Sequence, residues 1–145
     1  MPARDERGGA LLLVPALFLV ALTLASIAFD FAARFEAQRE LVSAAQAAAN
    51  DAATEGLDDE ALTAGLGYRI DPRLAEAAAR RSVAARGGAG RFEGPAEVVA
   101  DVSNAGPPTV RVTVRARARR LFAPALGRRG FDDLQASADA VVVLR

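Results

Sequence analysis

Residues 10–53 read ALLLVPALFLVALTLASIAF and then DFAARFEAQRELVSAAQAAANDAA, and these two joined halves decide the fold. The first half, Ala10–Phe29, is 20 residues long and carries no charge. As a helix it spans roughly 30 Å, the thickness of a bilayer's hydrocarbon core. The core helix of a water-soluble domain is seldom apolar on every face for that length. Pro15 falls in the first turns, where a missing backbone hydrogen bond is tolerated and a kink is expected. Asp30 closes the run.

Helical character continues past Asp30. No Gly or Pro occurs up to Ala53, and Ala, Glu, Gln and Arg dominate. Apolar residues recur at Ala28, Phe31, Phe35, Val42, Ala45, Ala49 and Ala52, with Gln38 interrupting, in steps that suit one helix face. A single helix from Gly9 to Ala53 would be about 65 Å long. Phe31 and Phe35 give way to alanine, which lets another helix or a sheet approach closely.

Topology follows from the flanks. Arg4 and Arg7 precede the apolar run and Arg34 and Arg39 follow it, so the positive-inside count is level. A nine-residue tail (1–9) stays in the cytoplasm more easily than a long domain crosses back, which places the C-terminal part outside. The alternative is a secreted soluble binding module, cut by signal peptidase after Ala28 at Ser26-Ile27-Ala28. The apolar run exceeds the usual h-region of about 7–15 residues, and the preceding segment has no net positive charge, so a retained anchor is the expectation.

Downstream the pattern changes twice. Gly56 ends the helix, and Asp58-Asp59-Glu60-Ala61-Leu62 can open a short helical turn. Asp71-Pro72 is a helix start, with Asp as cap and Pro in the first position. Leu74, Ala77, Ala78 and Val83 give that helix an apolar face; Arg80, Arg81 and Arg86 suit its C-terminal end, and Gly87-Gly88 stops it. After Gly94-Pro95 the period becomes two. Strands are expected at Glu97–Val102, at 110–119 and from Leu134 to Leu144, separated by turn-rich segments. The expected fold is α+β: a long N-terminal transmembrane helix (10–29) continues into an Ala-rich amphipathic helix (30–56). Short helices and loops (57–95) and a small antiparallel three-stranded sheet (96–145) pack with it, in a pilin-like arrangement.

Composition narrows the function. The chain has no Cys, His or Lys. That excludes a disulfide framework, thiolate metal sites and a Cys nucleophile, and it removes the commonest acid–base group. An enzyme is not expected, and no cofactor or small-molecule substrate is implied. Asp58-Asp59-Glu60 lacks the alternating oxygen ligands of a calcium loop. Asp101-Val102-Ser103 opens like a metal-ion adhesion motif, but Ala105 stands at its third position. Residues 30–101 carry 13 acids and 8 Arg, and residues 103–145 carry 8 Arg and 3 acids, so the two parts can attract each other or other copies. The sharpest charged feature is the row Arg111, Arg115, Arg117 and Arg119, continued by Arg120. It suits an acidic partner, phosphate head groups or a polyanionic wall polymer, or it is an ordinary solvated face or one paired with the acidic preceding region. Aromatics for base stacking are not interleaved, so nucleic acid is not expected.

Arg7-Gly8-Gly9-Ala10 before the apolar run, Asp30 at its end, Arg39-Glu40-Leu41 and the Ala-rich stretch to Ala53 resemble the N-terminal region of TadE/TadG-like proteins of the tight-adherence (Flp) pilus system. The C-terminal VRVTVRARARRLFAPALG and LQASADAVVVL are similar to the end of TadE-like proteins. The resemblance implies a minor pseudopilin or envelope assembly factor in the bacterial cell membrane. Its partners would be other pilus or secretion assembly proteins, or further copies of itself. Gly8, Gly9, Asp30, Phe31 and Phe35 would then belong to the membrane junction and assembly surface. Pilin-type processing sites usually place Glu five residues after the cleavage glycine. Here Val14 follows Gly9 and Leu13 follows Gly8 at that spacing, so the usual Glu-to-N-terminus pairing has no residue to make it.

Overall fold

The computed structural model describes residues 7–86, 91–122, 127 and 130–142, with the side chains of residues 7–12 excepted. One helix, α1, runs without interruption from Arg7 to Glu55. At 49 residues it is about 70 Å long. It is followed by α2 (Asp59–Thr63), α3 (Pro72–Arg86) and the strands β1 (Glu97–Ser103), β2 (Thr109–Arg119) and β3 (Phe131–Val141). The strands form an antiparallel sheet in the order β1-β2-β3. Gly8 and Gly9 fall in the first turn of α1, and residues 1–6 of the expected tail lie outside the described residues.

The two halves of α1 live in different surroundings. From Leu13 to Phe29 its side chains are almost wholly exposed, and this is a helix long and apolar enough to cross a membrane. From Ala37 onward one side is buried through Ala37, Leu41, Ala45, Ala48, Ala49, Ala52 and Ala53. That side includes Ala45, Ala49 and Ala52 of the expected stripe, but not its earlier members. Phe31, Phe35 and Val42 point away from the sheet and are exposed. Leu41 is the large side chain on the packed side, whereas the larger residues of the expected stripe lie off it.

Against this alanine side lies the apolar row of β2, Val110, Val112, Val114, Ala116 and Ala118, with Leu134, Ala136 and Ala140 of β3. The three valines have no exposed surface, each contributing about 1.5–3 kcal/mol through burial. Helix α1 runs in the same direction as β3, since Arg34 meets Asp132 and Gln38 donates to the Gln135 carbonyl at 3.1 Å. Helix α3 returns antiparallel to α1, joined to it by Arg81–Glu55 and Arg86–Asp51. Its buried face is Ala75, Ala78, Ala79, Ser82 and Val83, whereas Leu74 and Ala77, expected to be apolar contacts, face outward.

Local chemistry explains the connections. Asp71 caps α3, accepting from Arg73 N at 2.7 Å and Leu74 N at 3.3 Å. Asp58 caps α2 through Ala61 N at 3.0 Å. Gly56 lets α3 approach, because a Cβ there would lie 3.0 Å from that of Ala75. The Asn104 amide pairs with both backbone groups of Ile70 at 3.0 Å, tying the loop before α3 to the β1–β2 turn. Strand β3 begins at Phe131, three residues before the expected Leu134, and the Gly87-Gly88 stop lies outside the described residues.

The alanine seam yields a direct test. Ala49→Leu overfills a site with no exposed surface and is expected to lower the unfolding free energy by about 1–3 kcal/mol. Val42→Ala, on the open side, is expected to stay within about 0.5 kcal/mol of the parent. Urea unfolding in detergent, followed by far-ultraviolet circular dichroism, measures both. Equal effects would mean that the seam does not run through Ala49.

Candidate functional site: the junction of helix and sheet

The inner row of the sheet ends in charge where α1 emerges from its packing. After Ala118 the next inner position is Arg120, and opposite Ala118 stands Asp132. Arg120 and Asp132 form a two-pronged pair, with Nε at 2.8 Å from Oδ2 and an Nη nitrogen at 2.5 Å from Oδ1. Arg34 of α1 adds its Nε at 3.8 Å from Asp132. One turn earlier on α1, the Asp30 carboxylate accepts from the backbone N–H groups of Leu121 and Phe122, both at 3.0 Å. The ring of Phe122 meets that of Phe29, with centroids 6.3 Å apart and planes tilted by 46°. The last residue of the apolar run and the first residue after it therefore both hold the exit of β2.

The Asp132 carboxyl is held below the usual carboxylate range. The hydrogen bond from Arg120 is the largest cause, opposed by desolvation and assisted by the charges of Arg120 and Arg34. Arg120 is raised by the same bond.

The arginine row takes a different form from the one β2 suggests alone. Arg111, Arg115, Arg117 and Arg119 do share the outer face of the sheet. The register sets Asp139 and Asp101 beside Arg111, Glu97 and Gln135 beside Arg115, and Asp133 beside Arg117. Arg111 grips Asp139 at 2.7 and 3.0 Å, and Arg115 donates to Gln135 at 3.0 Å and lies 3.6 Å from Glu97. Arg117 reaches Asp133 at 3.2 Å and lies over the Phe131 ring, 5.3 Å from its centroid. Thr113 and Ser137 join their hydroxyls at 3.0 Å. Four carboxylates thus share the face with four guanidinium groups, and it is a mixed ladder, not a basic patch. Asp139 is lowered and Arg111 raised by their mutual hydrogen bond. The expected attraction between the acidic and basic parts of the chain is carried mainly by Arg115–Glu97. Arg81–Glu55, Arg86–Asp51 and Arg91 with Glu36 and Glu40 lie within the acidic part.

A cleft of about 480 Å³ opens between α1, α3 and the segment entering β1, with Leu41, Val83, Phe92 and Val98 in its lining. Its charged groups are already paired: Glu40 with Arg91, Arg80 with Glu76, Arg86 with Asp51. Among the described residues no cluster of acids is arranged to hold a metal ion. Sequence reasoning named Asp30 but missed Asp132 and its pair with Arg120. The signal available was an acid in the inner-facing phase of a strand, which needs a cationic partner. Compared with protein-family models, with curated proteins and with solved structures, the chain gives no match.

Two measurements test the junction. Because the folded pKa of Asp132 is depressed, its contribution to stability is present above the ordinary carboxylate value and is lost as pH falls through the folded value. Unfolding free energy is expected to decline below about pH 4, and Asp132→Asn to remove that component of the decline. Asp30→Ala is expected to speed amide hydrogen exchange at Leu121 and Phe122 about fivefold, equivalent to about 1 kcal/mol for a lost hydrogen bond. Exchange at Val112 and Val114 should stay unchanged; a uniform acceleration would mean that Asp30 supports the whole fold.

Proposed function

We propose that this chain is a single-pass membrane protein of the TadE/TadG-like, pseudopilin-like kind, an assembly factor of a tight-adherence pilus or secretion system acting by protein–protein contact. Its N-terminus faces the cytoplasm and the sheet-bearing body lies outside. The observation that carries the reading is α1, a single helix whose apolar first part stands clear of the protein and whose second part forms the spine of a small antiparallel sheet domain. We read it as a pilin-like arrangement of anchor and head. The residues quoted above, Arg7-Gly8-Gly9-Ala10, Asp30 and Arg39-Glu40-Leu41, supply the family resemblance. Arg111, Arg117, Arg80 and Glu40 are engaged with Asp139, Asp133, Glu76 and Arg91, which favours a contact protein over a catalyst. Phe31, Phe35 and Val42 supply an open apolar side of α1 just beyond the span, suited to an assembly neighbour.

Site-specific photocrosslinking from Phe31 and Phe35 in cells is expected to capture pilus or secretion assembly proteins, or a second copy of this chain. Failure to recover any of these, with expression and membrane fractionation intact, would remove the assembly reading. Mass spectrometry of the mature N-terminus separates the alternatives. Met1 or Pro2 supports the retained anchor, Phe29 means release as a secreted binding module, and Gly9 or Ala10 means pilin-like processing.

A further inference from the structure

We infer that Leu121 and Phe122 rest in the interfacial layer of the same bilayer that α1 crosses, giving the sheet domain a second, shallow hold on the lipid. The inference rests on the membrane reading above and adds what lies against the surface beside the span.

Three observations converge on it. The first is depth. Asp30 holds the backbone N–H groups of Leu121 and Phe122 at 3.0 Å, so these residues sit at the level where the uncharged run gives way to charge. The second is exposure. Phe122 is 42% exposed and Phe29 61%, and their rings form one open patch at the exit of the helix; Leu121, next to Phe122 in the chain, is 64% exposed. Packing among themselves accounts only for the Phe29–Phe122 contact. The third is continuity. The patch adjoins the apolar surface of residues 13–29, so a bilayer covering that surface meets Phe122 and Leu121 at its edge without any rearrangement. Aromatic side chains favour this layer. The paired Arg120, Asp132 and Arg34 follow within one turn of α1, charged groups suited to the head-group layer.

Lipid is the occupant favoured over a protein partner because Phe29, against which Phe122 packs, is the last residue of the apolar run itself. The clamp also explains why Asp30 is worth having at the junction: its acceptor groups set the depth at which Leu121 and Phe122 are presented.

The natural chain has no cysteine, so single cysteines report on single places. Three variants of the full chain, Val20→Cys, Leu121→Cys and Ser137→Cys, would be spin-labelled in phosphatidylcholine–phosphatidylglycerol nanodiscs. Collision with oxygen, which concentrates in lipid, and with a water-soluble nickel chelate gives the depth of each. The label at residue 137, on the outer sheet face, is the aqueous reference, and the label at residue 20 is the membrane reference. The expected result is nickel access at residue 121 several-fold below that at residue 137, with oxygen access between those of 137 and 20. If residue 20 is in lipid while 121 matches 137, the second hold is overturned and the anchor stands. If residue 121 is shielded from both reagents, a protein surface covers it and the inference falls. If residue 20 is itself as open to nickel as 137, the membrane reading fails and carries the inference with it.

Discussion

The close contact between the alanine side of α1 and the apolar side of the sheet governs the rest of this structure. Small side chains let a helix and a sheet pack at short range. The buried surface of each residue is small, so the contact must be long, and it runs from Ala37 to Ala53. A long contact requires an unbroken helix, and no Gly or Pro falls between Ala16 and Glu55. The valines of β2 supply the volume that the alanines lack, and α3 covers the flank that β3 leaves open. Each element is dictated by the need to bury a helix face that is apolar but shallow.

At the end of that seam the polar groups take over. The inner row passes from valine through alanine to Arg120 and Asp132, and the facing helix passes from Leu41 and Ala37 to Arg34 and Asp30. Charge therefore collects at the level where α1 leaves its protein packing. An acid facing inward at Asp132 is tolerated because Arg120 grips it with two hydrogen bonds, and the depressed pKa of Asp132 is the electrostatic record of that grip.

The elements were legible from residue chemistry because each has a local cause. The uncharged run, the absence of Gly and Pro, the Asp71 cap and the alternation of Arg with Val act within a few residues. What was not legible depends on pairing at a distance. The packed side of α1 was legible only in its alanine half, at Ala45, Ala49 and Ala52, whereas Phe31 and Phe35 draw the eye to the open side. The early start of β3 was hidden by Asp132-Asp133, two acids whose partners Arg120 and Arg117 come from the neighbouring strand and its exit. The arginine row looked basic because its balancing acids on β3 lie 16 to 28 residues away. Setting 111 against 139 and 117 against 133 shows the acids that balance it. The clamp from Asp30 to the β2 exit spans 91 and 92 residues of sequence, a separation no local pattern encodes.

Pro15 has a mechanical consequence. It interrupts the hydrogen-bond ladder of α1 inside the apolar run, while every residue from there to Glu55 can keep its helical bond. Bending compliance is thus concentrated at Pro15, and the rest of the helix acts as a stiff strut bolted to the sheet at Asp30 and along the alanine seam. Load applied to the sheet is carried as tension or torque down the strut to a single soft point within the apolar run.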